Sequence, residues 1–309
     1  MLKKNSKIFL TGHNGMVGSA ILRKLKLFGF NNIIVENKKN LNLLNQEKVY
    51  KYIKKIKPKV VIIAAAKVGG IFINNKNKAD FIYQNLTIQN NLIHGSYLAG
   101  VKKLIFLGSS CVYPKFAPQP IKEEYLLSGK LEATNDAYSI AKIAGILMCK
   151  SYSEQFNLEY KCLMPPNMYG PNDNYDTLNS HFFSALIKKI YLAKKNHSKT
   201  IKIWGNGNPK RELLFVDDFA EACIHFMSIK TKENLINIGG GVEKKIVDYA
   251  KFIMRRLNTS KHIIFDKSKP NGTPRKILNY NIAKKYGWRP KTTLDDGFTL
   301  TLKDFIKRN

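Results

Sequence analysis

Ile8-Phe9-Leu10-Thr11-Gly12-His13-Asn14-Gly15-Met16-Val17-Gly18 decides the fold. Four apolar or β-branched residues run into three glycines, and an amphipathic pattern continues to about residue 28. A buried strand, a tight turn and a helix are the reading. Glycines at this spacing let the backbone turn and approach a pyrophosphate seated on the N–H groups of the helix N-terminus. A lone glycine pattern is weak evidence, so its weight depends on the rest of the chain.

Beyond residue 28 strands and helices alternate. Strands are predicted over 32–35, 59–64, 104–107 and 160–164, and helices over 46–57, 79–99 and 136–156. Lys59-Val60-Val61-Ile62-Ile63-Ala64 is continuously apolar after its first residue, as a parallel strand covered on both faces should be. The alternation predicts βαβ units and a Rossmann-type, doubly wound parallel sheet. After Pro165-Pro166 the texture changes, and the Pro/Gly/Asn-rich stretch 165–174 reads as a long loop. Helices near 183–193, 216–227 and 245–257 and from 294 to the end predict a smaller α/β substrate domain. The division expected is 1–165 with 212–240 for the dinucleotide domain, and 166–211 with 241–309 for the substrate domain.

Composition excludes several classes. The chain has 309 residues, 44% of them hydrophobic and 24% charged, as in an ordinary globular protein. Its net charge of +30 invites a nucleic-acid reading. Only seven of the basic residues are Arg, and the Lys residues are scattered in twos among Asn and Ile with no basic arm or stripe. No specific nucleic-acid partner is therefore expected, although a positive field would steer anionic ligands. Cys111, Cys149, Cys162 and Cys223 form no CxxC pair, so neither a metal site nor a disulfide framework is indicated. No apolar run approaches the roughly 18 residues of a membrane span. A soluble, reduced, cytoplasmic protein without membrane attachment is the expectation.

Two further patterns carry chemistry. Tyr138 and Lys142 are four apart on one face of a helix, where an ammonium favours the phenolate and makes Tyr a better proton shuttle. Gly108-Ser109-Ser110-Cys111 ends the fourth strand, at the sheet end where open α/β folds bind ligands. A Ser hydroxyl there can donate to a substrate carbonyl.

Together these residues resemble the extended short-chain dehydrogenase/reductases that act on nucleotide sugars. Longer stretches narrow the likeness: 64–71, 80–85, 107–115, 138–145, Asn167-Met168-Tyr169-Gly170-Pro171 and 269–276 are similar to the GDP-L-fucose synthase family across nearly the whole chain. The resemblance implies epimerisation at C3 and C5 of GDP-4-keto-6-deoxy-D-mannose, then reduction of its C4 ketone. It implies Cys111 and His181 as base and acid, with Ser109 and Tyr138 on the ketone oxygen and Lys142 on the nicotinamide ribose. For the cofactor it implies Gly12, His13, Asn14, Gly15, Met16, Val17, Gly18, Lys38, Leu107, Gly108, Ser109, Ser110, Lys142, Pro165, Pro166, Asn167, Met168 and His181. For the GDP-sugar it implies Lys189, Trp204, Arg211 and Asn271. Lys189 stands where the family usually has Arg, and Asn271 where it has a carboxylate.

The resemblance further implies NADPH as cofactor and a homodimer built from helices 79–99 and 136–156. Glu36, about 20 residues past the glycine turn, is the type that binds a free ribose 2′-hydroxyl and leaves NAD open. Lys38 and Lys39 come next and can hold a 2′-phosphate. The rivals are a related nucleotide-sugar 4-epimerase, which needs neither Cys111 nor His181, and a non-catalytic nucleotide- or nucleic-acid-binding protein of the same fold.

Overall fold

A computed structural model of the chain describes residues 2–176, 180–269 and 272–308. In chain order its elements are β1 (Ile8–Thr11), α1 (Met16–Leu27), β2 (Ile33–Ile34), α2 (Gln46–Ile56), β3 (Val60–Ile63), α3 (Ile71–Lys76), α4 (Lys78–Leu98) and β4 (Lys103–Leu107). There follow α5 (Asp136–Phe156), β5 (Glu159–Met164), β6 (Asn167–Tyr169), α6 (Phe182–Lys195), β7 (Thr200–Trp204), β8 (Lys210–Phe215) and α7 (Val216–Ser228). The chain ends with β9 (Leu235–Asn237), β10 (Val242–Lys245), α8 (Ile246–Arg256), β11 (His262–Asp266), β12 (Arg275–Lys276), α9 (Asn281–Lys285) and α10 (Leu294–Arg308).

Six strands form one parallel sheet in the order β2-β1-β3-β4-β5-β9. The strand succession reverses direction at β1, which opens a crevice at the C-terminal ends of β1 and β3. Alternation along the strands sorts the core into two layers. Ile8, Leu10, Val60, Ile62, Ile105 and Leu163 face one side, with α1 and α7 residues such as Ile21 and Phe219. Phe9, Val61, Ile63, Leu104, Phe106 and Met164 face the other, with Val49 of α2, Leu92 of α4 and Ile146 of α5.

A second sheet, β10-β8-β12, also pairs β6 with β8, and β7 pairs β11 separately. A third core beneath these strands contains Phe183 and Ile187 of α6, Tyr249 and Ile253 of α8, and Phe298 and Phe305 of α10. No helix among the described residues is long and apolar enough to cross a membrane. The four cysteines are free.

The expected elements of the main sheet are present, with two differences. The second strand pairs over only Ile33 and Ile34, and the stretch 165–174 is not all loop, because Asn167–Tyr169 pairs in parallel with Leu213–Phe215. That pairing continues the chain directly from the first sheet into the second.

Candidate active site

The glycine turn is built as its spacing implies, but its three glycines do different work. Gly12 has φ +76°, and a Cβ there would lie 2.6 Å from the Ala65 amide nitrogen. A Cβ on Gly18 would lie 2.0 Å from the Gly12 carbonyl oxygen. Both glycines are demanded by backbone against backbone. At Gly15 the nearest atom to such a Cβ is 3.6 Å away, which the protein alone would tolerate. Gly15 thus leaves open space in front of the turn, where a ligand can approach the backbone closely. Helix α1 begins beyond it with no side-chain cap and no acidic residue in its first turn. Its free N–H groups and partial positive charge suit a diphosphate, so this cradle fits a dinucleotide.

The turn opens into a cavity of about 1040 Å³. Common ligand pockets span roughly 300–1,000 Å³, so this one lies at the top of that range. Gly12, His13, Asn14, Gly15, Met16, Val17, Gly18, Lys38, Gly108, Ser109, Ser110, Cys111, Tyr138, Pro165, Pro166, Asn167, Met168, His181, Lys189, Trp204 and Arg211 all line it. Asn271 lies outside the described residues. Leu107 and Lys142 do not line the wall and sit beneath it.

Several buried amides shape this wall. Asn85 of α4 accepts from the Lys67 N–H at 2.9 Å and donates to the Lys67 carbonyl at 3.0 Å, clamping the segment that leaves β3. Gln89 donates to the Ala141 carbonyl at 2.6 Å, tying α4 to α5. Gly145 lets α5 press on β4, since a Cβ there would lie 2.6 Å from Phe106. These contacts set Tyr138, in the first turn of α5, over the end of β4.

At that end the chain forms a 3₁₀ turn, Ser110–Val112, capped by Ser109, whose hydroxyl accepts from the Cys111 N–H at 3.3 Å. The Ser139 hydroxyl donates to the Cys111 carbonyl at 2.9 Å and docks the turn on α5. The Ser109 hydroxyl also lies near the Tyr138 phenol and the Cys111 thiol and favours the ionised form of each. A hydroxyl, a phenol and a thiol thus gather at the mouth of the strand.

The electrostatics correct one expectation. Lys142 does not draw the Tyr138 phenol down. Its ammonium donates to the Leu107 carbonyl at 2.7 Å and stands 5.9 Å from the Tyr138 ring centre. Burial lowers Lys142 to about 8. Burial, with a smaller push from Cys111, raises Tyr138 above its ordinary value against the Ser109 hydroxyl. Tyr138 is held as the neutral phenol, the form that donates to a carbonyl oxygen and protonates an alkoxide. Cys111 goes the other way: burial opposes its ionisation, but Lys276, the Ser109 hydroxyl and Arg211 together bring the thiol below its usual value.

His181 precedes α6 as its N-terminal flanking residue and faces the same cavity. Buried Asp173 lies in its electrostatic reach, receives the Ser184 hydroxyl, and has its backbone carbonyl held by Arg308 at 3.0 Å. At the far end of the cavity, Lys189 and Lys269 flank the Trp204 ring at 5.3 and 5.8 Å, a cationic and aromatic surface suited to a nucleotide.

Sequence reading overlooked Asp173, Glu132 and Lys276. Asp173 lies in the stretch taken as loop, and Glu132 lines the cavity and pairs with Lys115 at 2.9 Å. Lys276 closes the motif at 269–276, and only that position hinted at a role. Among the described residues, no group of three or more His, Cys, Asp or Glu side chains gathers as a metal site.

Comparison with known proteins agrees with this geometry. Residues 8–239 match the family model for the NAD dependent epimerase/dehydratase family. The chain is 46% identical over 305 residues to a GDP-L-fucose synthase of Sinorhizobium fredii, covering 99% of this chain and 97% of that protein. It is 43% identical over 310 residues to the GDP-L-fucose synthase of Escherichia coli, covering 97% of each. A Campylobacter jejuni GDP-mannoheptose C4 reductase with NADP bound superposes with a TM-score of 0.90 at 34% identity, over 99% of this chain and 100% of that one. A Naegleria fowleri GDP-L-fucose synthetase bound to NADP gives 0.88 at 26% identity, over 100% of this chain and 96% of that one. By fold, by the cradle at its first turn and by descent, the chain belongs to the NAD-dependent epimerase/dehydratase family, the extended short-chain dehydrogenase/reductases, in its GDP-L-fucose synthase branch.

Proposed function

We propose that this protein converts GDP-4-keto-6-deoxy-D-mannose to GDP-L-fucose by 3,5-epimerisation and then NADPH-dependent reduction at C4. The observation that carries the reading is the gathering of Ser109, Tyr138, Cys111 and His181 on one cavity wall. A simple 4-epimerase has no use for the thiol and the imidazole.

C3 and C5 both flank the C4 ketone, so polarising one oxygen acidifies both C–H bonds. Ser109 and neutral Tyr138 donate to that oxygen and stabilise the enolate as charge develops. Cys111 removes the carbon proton and His181 supplies one to the opposite face. Bound NADPH supplies the hydride for C4. Tyr138 then gives its proton to the new alkoxide, which is the stronger base. Lys142 donates to the Leu107 carbonyl in the ligand-free protein, and we assign it to the nicotinamide ribose through the other N–H groups of its ammonium, which must swing toward the cavity to reach it.

Lys189, Trp204 and Arg211 are assigned to the GDP moiety, whose diphosphate suits Arg and Lys. In the glycine turn, Asn14 is tied by its side chain to Asn37 at 2.9 Å and by its carbonyl to Asn172 at 2.9 Å, which joins the turn to both neighbouring loops. Glu36 and Lys38 both line the cavity; the Glu36 carboxylate already accepts from Tyr52 at 2.7 Å and Asn40 at 3.0 Å, while Lys38 offers a cation to a 2′-phosphate. This arrangement supports NADPH over NADH.

The two-domain division keeps the sheet β2-β1-β3-β4-β5-β9 with the dinucleotide. It gives β6, α6, β7, β10, α8, β11, β12, α9 and α10 to the GDP-sugar, with the chain returning to the dinucleotide side within β8. A homodimer is supported by apolar side chains left uncovered on α4 and α5: Tyr83 and Leu98 on the first, Ile140 and Leu147 on the second.

Purified protein mixed with the keto sugar and NADPH is expected to oxidise the cofactor and yield GDP-L-fucose, with NADH the poorer donor. Oxidation without inversion at C3 and C5 would favour a simple ketoreductase. A preference for NADH would assign Glu36 to the ribose 2′-hydroxyl.

A further inference from the structure

Proton abstraction from carbon needs sulfur as thiolate, yet an ordinary Cys is only a few per cent ionised near neutrality. The protein surrounds this sulfur with charge drawn from a distant part of the chain. Lys276 places its Nζ 3.3 Å from the Cys111 Sγ. β12 pairs in parallel with β8 so that Lys276 stands opposite Arg211, and neighbours in such a ladder share a face. Both side chains reach the cavity. Arg275, one residue earlier, takes the other face, where Glu243 holds it with two bonds of 2.7 and 2.9 Å. Past the strand, the Ile277 N–H donates to Gln119 at 3.0 Å and the Leu278 N–H to buried Glu212 at 2.8 Å. These bonds pin the short strand on both sides of Lys276. Among the described residues no carboxylate pairs with Lys276; the nearby acid, Glu132, pairs with Lys115 and acts on Arg211. The groups facing the sulfur are therefore Lys276, Arg211, Ser109 and the Tyr138 phenol.

We propose that Lys276 is a positioning residue of the epimerisation step, holding the Cys111 sulfur as a thiolate for proton abstraction and taking no part in hydride delivery. This deepens the function proposed above and rests on it. The thiolate takes the proton from C3 or C5 and an S–H bond forms. The C–H electron pair passes into the enolate held by Ser109 and Tyr138. His181 gives its proton to the opposite face. The S–H then loses its proton to water and His181 regains one from water, which resets the pair with no net oxidation or reduction.

The direct test is alkylation of Cys111 by iodoacetamide as a function of pH, read at that residue by peptide mass spectrometry, in the substrate-free protein and its Lys276→Gln and Lys276→Arg variants. The unaltered protein should show its inflection below the roughly 8.5 of a free thiol. Lys276→Gln should raise that inflection by at least one unit, cutting labelling at neutral pH by about tenfold, and Lys276→Arg should restore most of it. In parallel, NADPH oxidation with a ketone already inverted at C3 and C5 should be unchanged in Lys276→Gln, whereas solvent deuterium uptake into the uninverted substrate should fall and move to higher pH.

An unshifted alkylation profile would overturn the proposal, and a raised KM beside it would make Lys276 a phosphate ligand. If Lys276→Gln loses its circular dichroism, Lys276→Met keeps the apolar stem and carries the same test. Labelling requires no substrate. Failure of the unaltered protein to turn over the keto sugar would refute the proposed function while leaving the thiol measurement readable.

Discussion

Replacing Tyr138 by Phe should lower turnover of the keto sugar by about 10²–10⁴-fold, the range over which a positioned proton donor acts. The ring is half-buried on α5 and packs edge-on against Phe81 at 6.5 Å, and Phe keeps that contact. What is lost is the phenolic hydroxyl, which lines the cavity beside Ser109 and serves the ketone oxygen in both halves of the proposed reaction. Deuterium uptake and NADPH oxidation should therefore fall together, with cofactor affinity and melting temperature nearly unchanged. A variant that kept both rates within about threefold of the parent would move carbonyl activation to Ser109 alone. Because burial keeps Tyr138 protonated, the parent's rate should not rise with alkaline pH in the way a phenolate requirement would produce.

Gly18→Ala should be nearly as damaging for a different reason. Its Cβ would meet the Gly12 carbonyl oxygen at 2.0 Å, the Gly12 carbonyl carbon at 2.6 Å and the His13 Cα at 2.9 Å. All three are backbone atoms of the turn itself, so α1 has to move off the turn. Overpacking of this kind typically costs about 1–3 kcal/mol, and the displaced N–H groups no longer converge on a diphosphate. NADPH affinity, measured by fluorescence titration, should drop by about 100-fold or more, with a lower melting temperature. Gly15→Ala is the control. Its Cβ has room in the protein, so the melting temperature should hold while affinity falls through crowding of the ligand. If both variants bound NADPH normally, the diphosphate would lie elsewhere.

The parts of this structure visible in the sequence are those made by neighbours along the chain. β1, the glycine turn and α1 form one local unit, and the long runs of β3, α4 and α5 carry their own periodicity. Tyr138 with Lys142, and Ser109 with Cys111, are close in sequence and close in space. The features that sequence reading missed are made by distant pairs. Lys276 reaches Cys111 across 165 positions, from a strand of two residues with no room for alternation. β10 is Val-Glu-Lys-Lys and β6 comes directly after two prolines, so neither advertises a strand, yet both build the second sheet on β8. The depressed Tyr138 expected from a lysine four residues on also failed on a distant effect, since burial outweighs an ammonium committed to the Leu107 carbonyl.

One ketone serves two chemistries in this protein, inversion at its flanking carbons and then reduction. Incubating GDP-4-keto-6-deoxy-D-mannose in D₂O without NADPH, with the parent protein and with Cys111→Ser, and reading deuterium at C3 and C5 by NMR, tests that double use most directly. The parent should label both carbons, and Cys111→Ser should label them at about a tenth of that rate or less while still reducing the already inverted ketone with NADPH. Unlabelled carbons with the parent, or full labelling with the variant, would contradict it.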